Sequence, residues 1–177
     1  MWLTWANALT LARALLAVPC AWLAADERWL WTALIFSLAV LSDLLDGPLA
    51  RRFDQSSPLG GLIDHTTDAA FVTLLLAALA YGGYVPWLLP VLVAASFAQY
   101  VADSRALRGR SLRASYLGRA NGIGYFILAA LVVYGNALAG PWPTAASIDA
   151  LAWLLVVTSL ASMLHRLRLW RSGGLHE

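Results

Sequence analysis

The sequence predicts an all-α fold, a polytopic membrane protein with six transmembrane helices and a short N-terminal interfacial helix. Three observations predict it. Of the 177 residues, 60% are hydrophobic and only 12% are charged, against about 25% charged residues in an ordinary soluble domain. Mainly apolar runs close to the roughly 20 residues needed to cross a hydrocarbon core recur along the chain. The segments between them are polar or carry glycine and proline, as turns do. Nothing in the composition divides the chain, so residues 1–177 read as a single membrane-embedded domain.

The predicted spans, in order, cover 8–25, 29–50, 59–81, 84–104, 117–138 and 148–165. Ahead of the first, Met1 to Asn7 carries Trp2 and Trp5 and predicts a short helix along the interface. Asp26, Glu27 and Arg28 separate spans one and two, and Gln55 to Pro58 form the next short loop. Gly82-Gly83-Tyr84-Val85-Pro86 breaks the chain before the fourth span. Four arginines between 105 and 116 precede the fifth, and Gly140-Pro141-Trp142-Pro143 cannot continue a helix into the sixth. Most tryptophans fall near span ends, where interfacial anchors belong.

Arginine distribution orients the spans. The chain has twelve basic residues, all arginine. Only Arg28 falls on one side; Arg13, Arg51, Arg52, Arg105, Arg108, Arg110, Arg113, Arg119, Arg166, Arg168 and Arg171 fall on the other. Basic loops stay cytoplasmic, so both termini are expected there, in an inner or plasma membrane. The start of the first span lacks the basic region of a cleaved leader. A net charge of +2 is too small to argue for nucleic acid, and the one cysteine, Cys20, excludes a disulfide framework or a thiolate metal site.

Asp43, Asp46, Asp64 and Asp68 fall within or at the ends of predicted spans. An aspartate at the bilayer centre costs about 2.5–3.5 kcal/mol on insertion scales, so four of them need a reason. Asp43 and Asp46 are three residues apart and Asp64 and Asp68 four apart, so each pair shares a helix face. The short 51–58 loop makes the two spans an antiparallel hairpin, with both pairs at similar depth. Four adjacent carboxylates repel unless protonated or bound to cations. A hard divalent cation, Mg2+ or Mn2+, suits oxygen ligands, and no cysteine or histidine cluster favours zinc. His65 is about 100° around the helix from Asp64 and reads as packing beside the site rather than a ligand. Gly47, Gly60 and Gly61 flank the acids and permit close approach of a backbone or a flat ligand.

Together these residues read Asp43-x2-Asp46-Gly47-x2-Ala50-Arg51-x8-Gly60-x3-Asp64-x3-Asp68, eight defined positions over 26 residues. The pattern resembles the signature of the CDP-alcohol phosphatidyltransferase family at every fixed position and spacing. Asn7-x-Leu9-Thr10-x2-Arg13 also resembles a stretch that many members carry before their first span. The resemblance implies a six-span enzyme, usually a homodimer, that transfers a phosphatidyl group from CDP-diacylglycerol to an alcohol with release of CMP. It implies Asp43, Asp46, Asp64 and Asp68 as ligands of Mg2+ or Mn2+, two ions per site, with Asp68 also the general base. It implies Gly47, Ala50, Arg51, Gly60, Asn7 and Thr10 around the CDP moiety, and an active site at the cytoplasmic edge.

For the acceptor, Arg105, Arg113 and Arg119 between spans four and five are the candidates, since a phosphorylated alcohol needs arginine donors. Arg166 and Arg168 extend the basic cluster. Equally, such arginines fix topology and bind anionic headgroups. Ser115-x2-Gly118-Arg119 resembles the Ser-x2-Gly-Lys of glycerol-phosphate-using members, with arginine for lysine, glycine at 122 where threonine is frequent, and Ala69 rather than lysine after Asp68. Glycerol 3-phosphate is the favoured acceptor, with inositol phosphate or an unphosphorylated amino alcohol as alternatives. From another class, a divalent-cation transporter would also bury carboxylates, but its polar groups should line a path through the membrane instead of gathering at one side.

Overall fold

The computed structural model describes residues 5–52, 58–104 and 116–171, with side chains over 8–45, 60–102 and 116–168. All regular structure there is helical: α1 (Trp5–Ala25), α2 (Trp29–Arg52), α3 (Pro58–Tyr81), α4 (Leu88–Ser104), α5 (Tyr116–Ala137) and α6 (Ala145–Arg171). Each helix falls on a predicted span. α4 begins four residues later than expected, because Pro86 ends the turn and its carbonyl accepts from Leu89 N. The expected separate helix over Met1–Asn7 is not distinguished. Residues 5–7 open α1, and 1–4 lie outside the described residues.

Four of the helices contain stretches long and apolar enough to cross a membrane, Ala8–Ala25, Gly60–Tyr81, Tyr116–Ala137 and Ala145–Arg168. Trp29–Leu45 and Leu88–Ala102 are apolar but shorter among the described residues. α1 shows the inverted pattern of a helix in lipid. On α1, Thr10, Arg13, Ala17, Cys20 and Ala24 face inward at helical spacing. Leu11, Leu15, Val18 and Trp22 face outward, each more than 60% exposed. Large apolar side chains outside and small or polar ones inside leave little to gain from water.

α1 packs along α2 and α3, and α5 and α6 form a second pair joined to the first through α2–α5, α3–α5 and α4–α6 contacts. Phe36, Phe71 and Phe126 meet where α2, α3 and α5 converge, with the Phe71 and Phe126 rings stacked at 6.4 Å. α5 and α6 approach closely at Gly124, where a Cβ would stand 2.6 Å from Leu155 Cδ2. Nearby, Tyr125 Oη and Ser159 Oγ share a buried hydrogen bond of 2.5 Å. Away from the aspartates, the α1–α2 and α3–α4 turns are tied by Tyr84 Oη donating to Glu27 and by Tyr84 packing edge-on to Trp29. This frame leaves a cavity of about 1130 Å³ bounded by α2, α3, α4, α5 and α6.

Candidate active site at the aspartate cluster

Helical spacing sets the side chains of the site. Asp43 lies toward the C-terminal end of α2, and Asp64 and Asp68 lie one turn apart near the start of α3. The hairpin brings them together, as the spacing predicts. Their oxygens meet at one atom, Arg13 Nη1 on α1. Asp43 Oδ1 and Asp64 Oδ1 each lie 3.0 Å from it, and Asp68 Oδ1 is in direct contact. Nη1 donates to Asp64 and Asp68. The arginine is anchored on its other edge as well. Nε donates to Ser42 Oγ at 3.5 Å, and Ser42 Oγ donates to the Ala39 carbonyl at 2.7 Å.

Arg13 is therefore a member of the cluster and not only a topology signal at the membrane edge. Its side chain is 1% exposed, whereas those of Asp43, Asp64 and Asp68 are 43%, 27% and 22% exposed. A buried guanidinium with one carboxylate would be a poor exchange for its hydration; three carboxylates around it make the burial tolerable. In the structure Arg13 continues the inward stripe of Thr10, Ala17, Cys20 and Ala24.

Asp64, His65 and Asp68 present ligand atoms within 4.8 Å of one another, a grouping able to hold a metal ion. The reading of His65 as packing beside the site rested on its angle to Asp64 alone. Asp68 is three residues further on, hence on nearly the same face as His65. Hard carboxylate oxygens with accessible surface, plus one imidazole, form a donor set that fits a divalent cation such as Mg2+ or Mn2+.

Asp43, His65 and Asp68 line the cavity, and so do Arg119 on α5 and Arg166 on α6. The Arg166 guanidinium lies 4.8 Å over the Tyr100 ring, and Tyr100 meets His65 edge-on. Among the described residues, Ser96 Oγ and Gln99 Oε1 of two lining residues are buried without a hydrogen-bond partner, while Gln99 Nε2 donates to the Met163 carbonyl at 3.1 Å. Away from the acids the lining is apolar, with Phe36, Val40, Phe126 and Ala130.

The remaining expected residues divide by location. Thr10 is buried on α1, on the face of Arg13. Gly60 lies in the first turn of α3. Asn7 is on α1, and Asp46, Gly47, Ala50 and Arg51 are on α2, with side chains outside the described residues. Arg105 and Arg113 also lie outside the described residues.

Comparison with known proteins gives one family match: the profile described as CDP-alcohol phosphatidyltransferase matches residues 3–170. A cardiolipin synthase (CMP-forming) of Streptomyces coelicolor is 42% identical over 65 residues, 36% of this chain and 30% of that protein. A CDP-diacylglycerol–glycerol-3-phosphate 3-phosphatidyltransferase of Cereibacter sphaeroides is 41% identical over 91 residues, 48% of this chain and 41% of that protein. The cardiolipin synthase (CMP-forming) of Homo sapiens is 31% identical over 107 residues, 60% of this chain and 36% of that protein. The matched segments thus span less than half the length of each of these relatives.

Proposed function

Because this chain belongs to the CDP-alcohol phosphatidyltransferase family, we propose that it transfers a phosphatidyl group from CDP-diacylglycerol to an anionic glycerol-type alcohol and releases CMP. The observation that carries this reading is the convergence of Asp43, Asp64 and Asp68 on one point beside a cavity that Arg119 and Arg166 also line. The acids suit a cation-bound diphosphate and the arginines an anionic acceptor.

In this reading Asp43, Asp46, Asp64 and Asp68 hold the divalent ions, one or two in number, with His65 beside them. Bound cations reverse the sign of the acidic site, clamp the donor diphosphate and stabilise charge on the departing CMP. Asp68 takes the proton of the acceptor hydroxyl. The acceptor oxygen forms a bond to the lipid-bearing phosphorus, and the bond from that phosphorus to the bridging oxygen breaks, with the electron pair leaving on CMP. Gly47, Ala50, Arg51, Gly60, Asn7 and Thr10 surround the CDP moiety. Arg119 and Arg166 hold the acceptor phosphate, joined by Arg105 and Arg113. The enzyme spans the membrane six times as a homodimer, with the site and both termini cytoplasmic, the orientation its arginines favour.

Glycerol 3-phosphate is the first acceptor to test, in keeping with the name of the Cereibacter sphaeroides relative. A second reading has a specific support. The cardiolipin synthases among the relatives, together with the apolar length of the cavity, favour a glycerol hydroxyl borne on phosphatidylglycerol. CMP release from CDP-diacylglycerol, with glycerol 3-phosphate, phosphatidylglycerol, inositol phosphate, serine and ethanolamine offered singly, separates these. Release with glycerol 3-phosphate alone supports the first reading and release with phosphatidylglycerol alone the second. Release only with inositol phosphate or an amino alcohol contradicts both.

A further inference from the structure

Arg13 comes from a different helix than any of the carboxylates it touches. It draws Asp43 of α2 and Asp64 and Asp68 of α3 to a single nitrogen. Nη1 carries two protons, and these go to Asp64 and Asp68. Asp43 is held by charge at 3.0 Å. Nε is tied through Ser42 Oγ to the Ala39 carbonyl, so the plane of the guanidinium is fixed from behind.

Two features separate a support from a competitor for the cation. Arg13 lies beneath the cluster at 1% exposure, while each carboxylate keeps between 22% and 43% of its side-chain surface accessible. Each aspartate spends one oxygen, Oδ1, on Arg13, leaving the second for another partner.

We propose that Arg13 is the positioning residue of the acidic site, holding Asp64 and Asp68 by their inner oxygens and drawing Asp43 in from α2, so that the outer oxygens of Asp64 and Asp68 are left for a divalent cation. Ser42 serves it by orienting the guanidinium. The assignment rests on the reading that these aspartates bind a metal ion. Outer partners that orient metal ligands change metal affinity by about 10- to 100-fold when replaced. Lysine keeps the charge of Arg13 but has neither the planar fork nor an Nε to meet Ser42.

The test is Mn2+ binding by the detergent-purified full chain, read from the free-Mn2+ paramagnetic resonance signal, with thermal unfolding measured in parallel. Arg13→Lys is expected to fold with Tm near that of the wild type and to bind Mn2+ about ten-fold more weakly or worse. Ser42→Ala, which keeps Arg13 and its charge, is expected to weaken binding in the same direction by a smaller factor. Unchanged Mn2+ affinity in Arg13→Lys would overturn the positioning role. Tighter binding in that variant would also overturn it, because Arg13 would then be a competitor for the oxygens. Should Arg13→Lys fail to fold, Ser42→Ala decides alone, and unchanged affinity there counts against the proposal. A wild type that binds no Mn2+ would instead remove the metal reading on which the proposal rests.

Discussion

Arg13 Nη1 and Asp64 Oδ1 stand 3.0 Å apart across 51 residues of sequence, joining the start of α1 to the start of α3. The contact ties the α2–α3 hairpin to a third helix. It makes the acidic site a product of three helices rather than of the hairpin alone.

Asp68, like Asp43, both touches Arg13 and lines the cavity, and it is the less exposed of the two. Asp68→Asn keeps the shape and an oxygen for Arg13 but cannot accept a proton at neutral pH. Turnover is expected to fall by about 10²- to 10⁴-fold, the range for loss of a general base. Donor binding, measured with a radiolabelled CDP-lipid, should persist. Wild-type turnover in this variant would remove Asp68 as the base.

Asp43 is the most accessible of the three acids, at 43% exposure, and its contact with Arg13 lacks a donated hydrogen bond. Asp43→Ala should therefore leave the fold largely intact while weakening cation-dependent donor binding. The measurement is CDP-lipid affinity with Mg2+ and with chelator. Equal affinities for wild type and variant under both conditions would contradict a ligand role.

Arg119 and Arg166 line the same cavity as Asp43 and Asp68, from α5 and α6. Replacing either with glutamine should raise the KM for a phosphate-bearing acceptor by about ten-fold or more, the value of one charge-assisted hydrogen bond at roughly 1.5–3 kcal/mol. The KM for CDP-diacylglycerol should change much less. A change in protein yield without any change in KM would mark them as topology or headgroup contacts.

Gly124 lets α5 meet α6. A Cβ there would stand 2.6 Å from Leu155 Cδ2, so Gly124→Ala forces Leu155 out of its position. The expected cost is about 1–3 kcal/mol, as for other overpacked sites. Adding Leu155→Ala should recover part of the loss of Gly124→Ala, a non-additivity that thermal unfolding of both single variants and the double variant reads directly. Strict additivity would contradict the contact.

The helices were legible because apolar runs, glycine–proline breaks and polar turns act locally. The start of α4 at Leu88 shows where apolarity alone overreaches, since Tyr84 and Val85 belong to the turn that Pro86 ends. The meeting of Asp43 with Asp64 and Asp68 was legible too, because helical spacing and a short hairpin leave little choice. Arg13 was not. A cation at a span end has an ordinary explanation in topology, and its partners lie on other helices. His65 was set aside by comparison with Asp64, when Asp68 was the residue to measure it against. Arg166 was grouped with neighbouring arginines, and only the fold places it over Tyr100 beside the cavity.

The most direct test is CMP release by the purified protein from CDP-diacylglycerol in Mg2+, then with chelator, then with Mg2+ restored, using glycerol 3-phosphate and phosphatidylglycerol as acceptors. The account predicts acceptor-dependent release that stops with chelator and returns with the ion. Release that continues undiminished in chelator, or no release from folded protein with either acceptor, would contradict it.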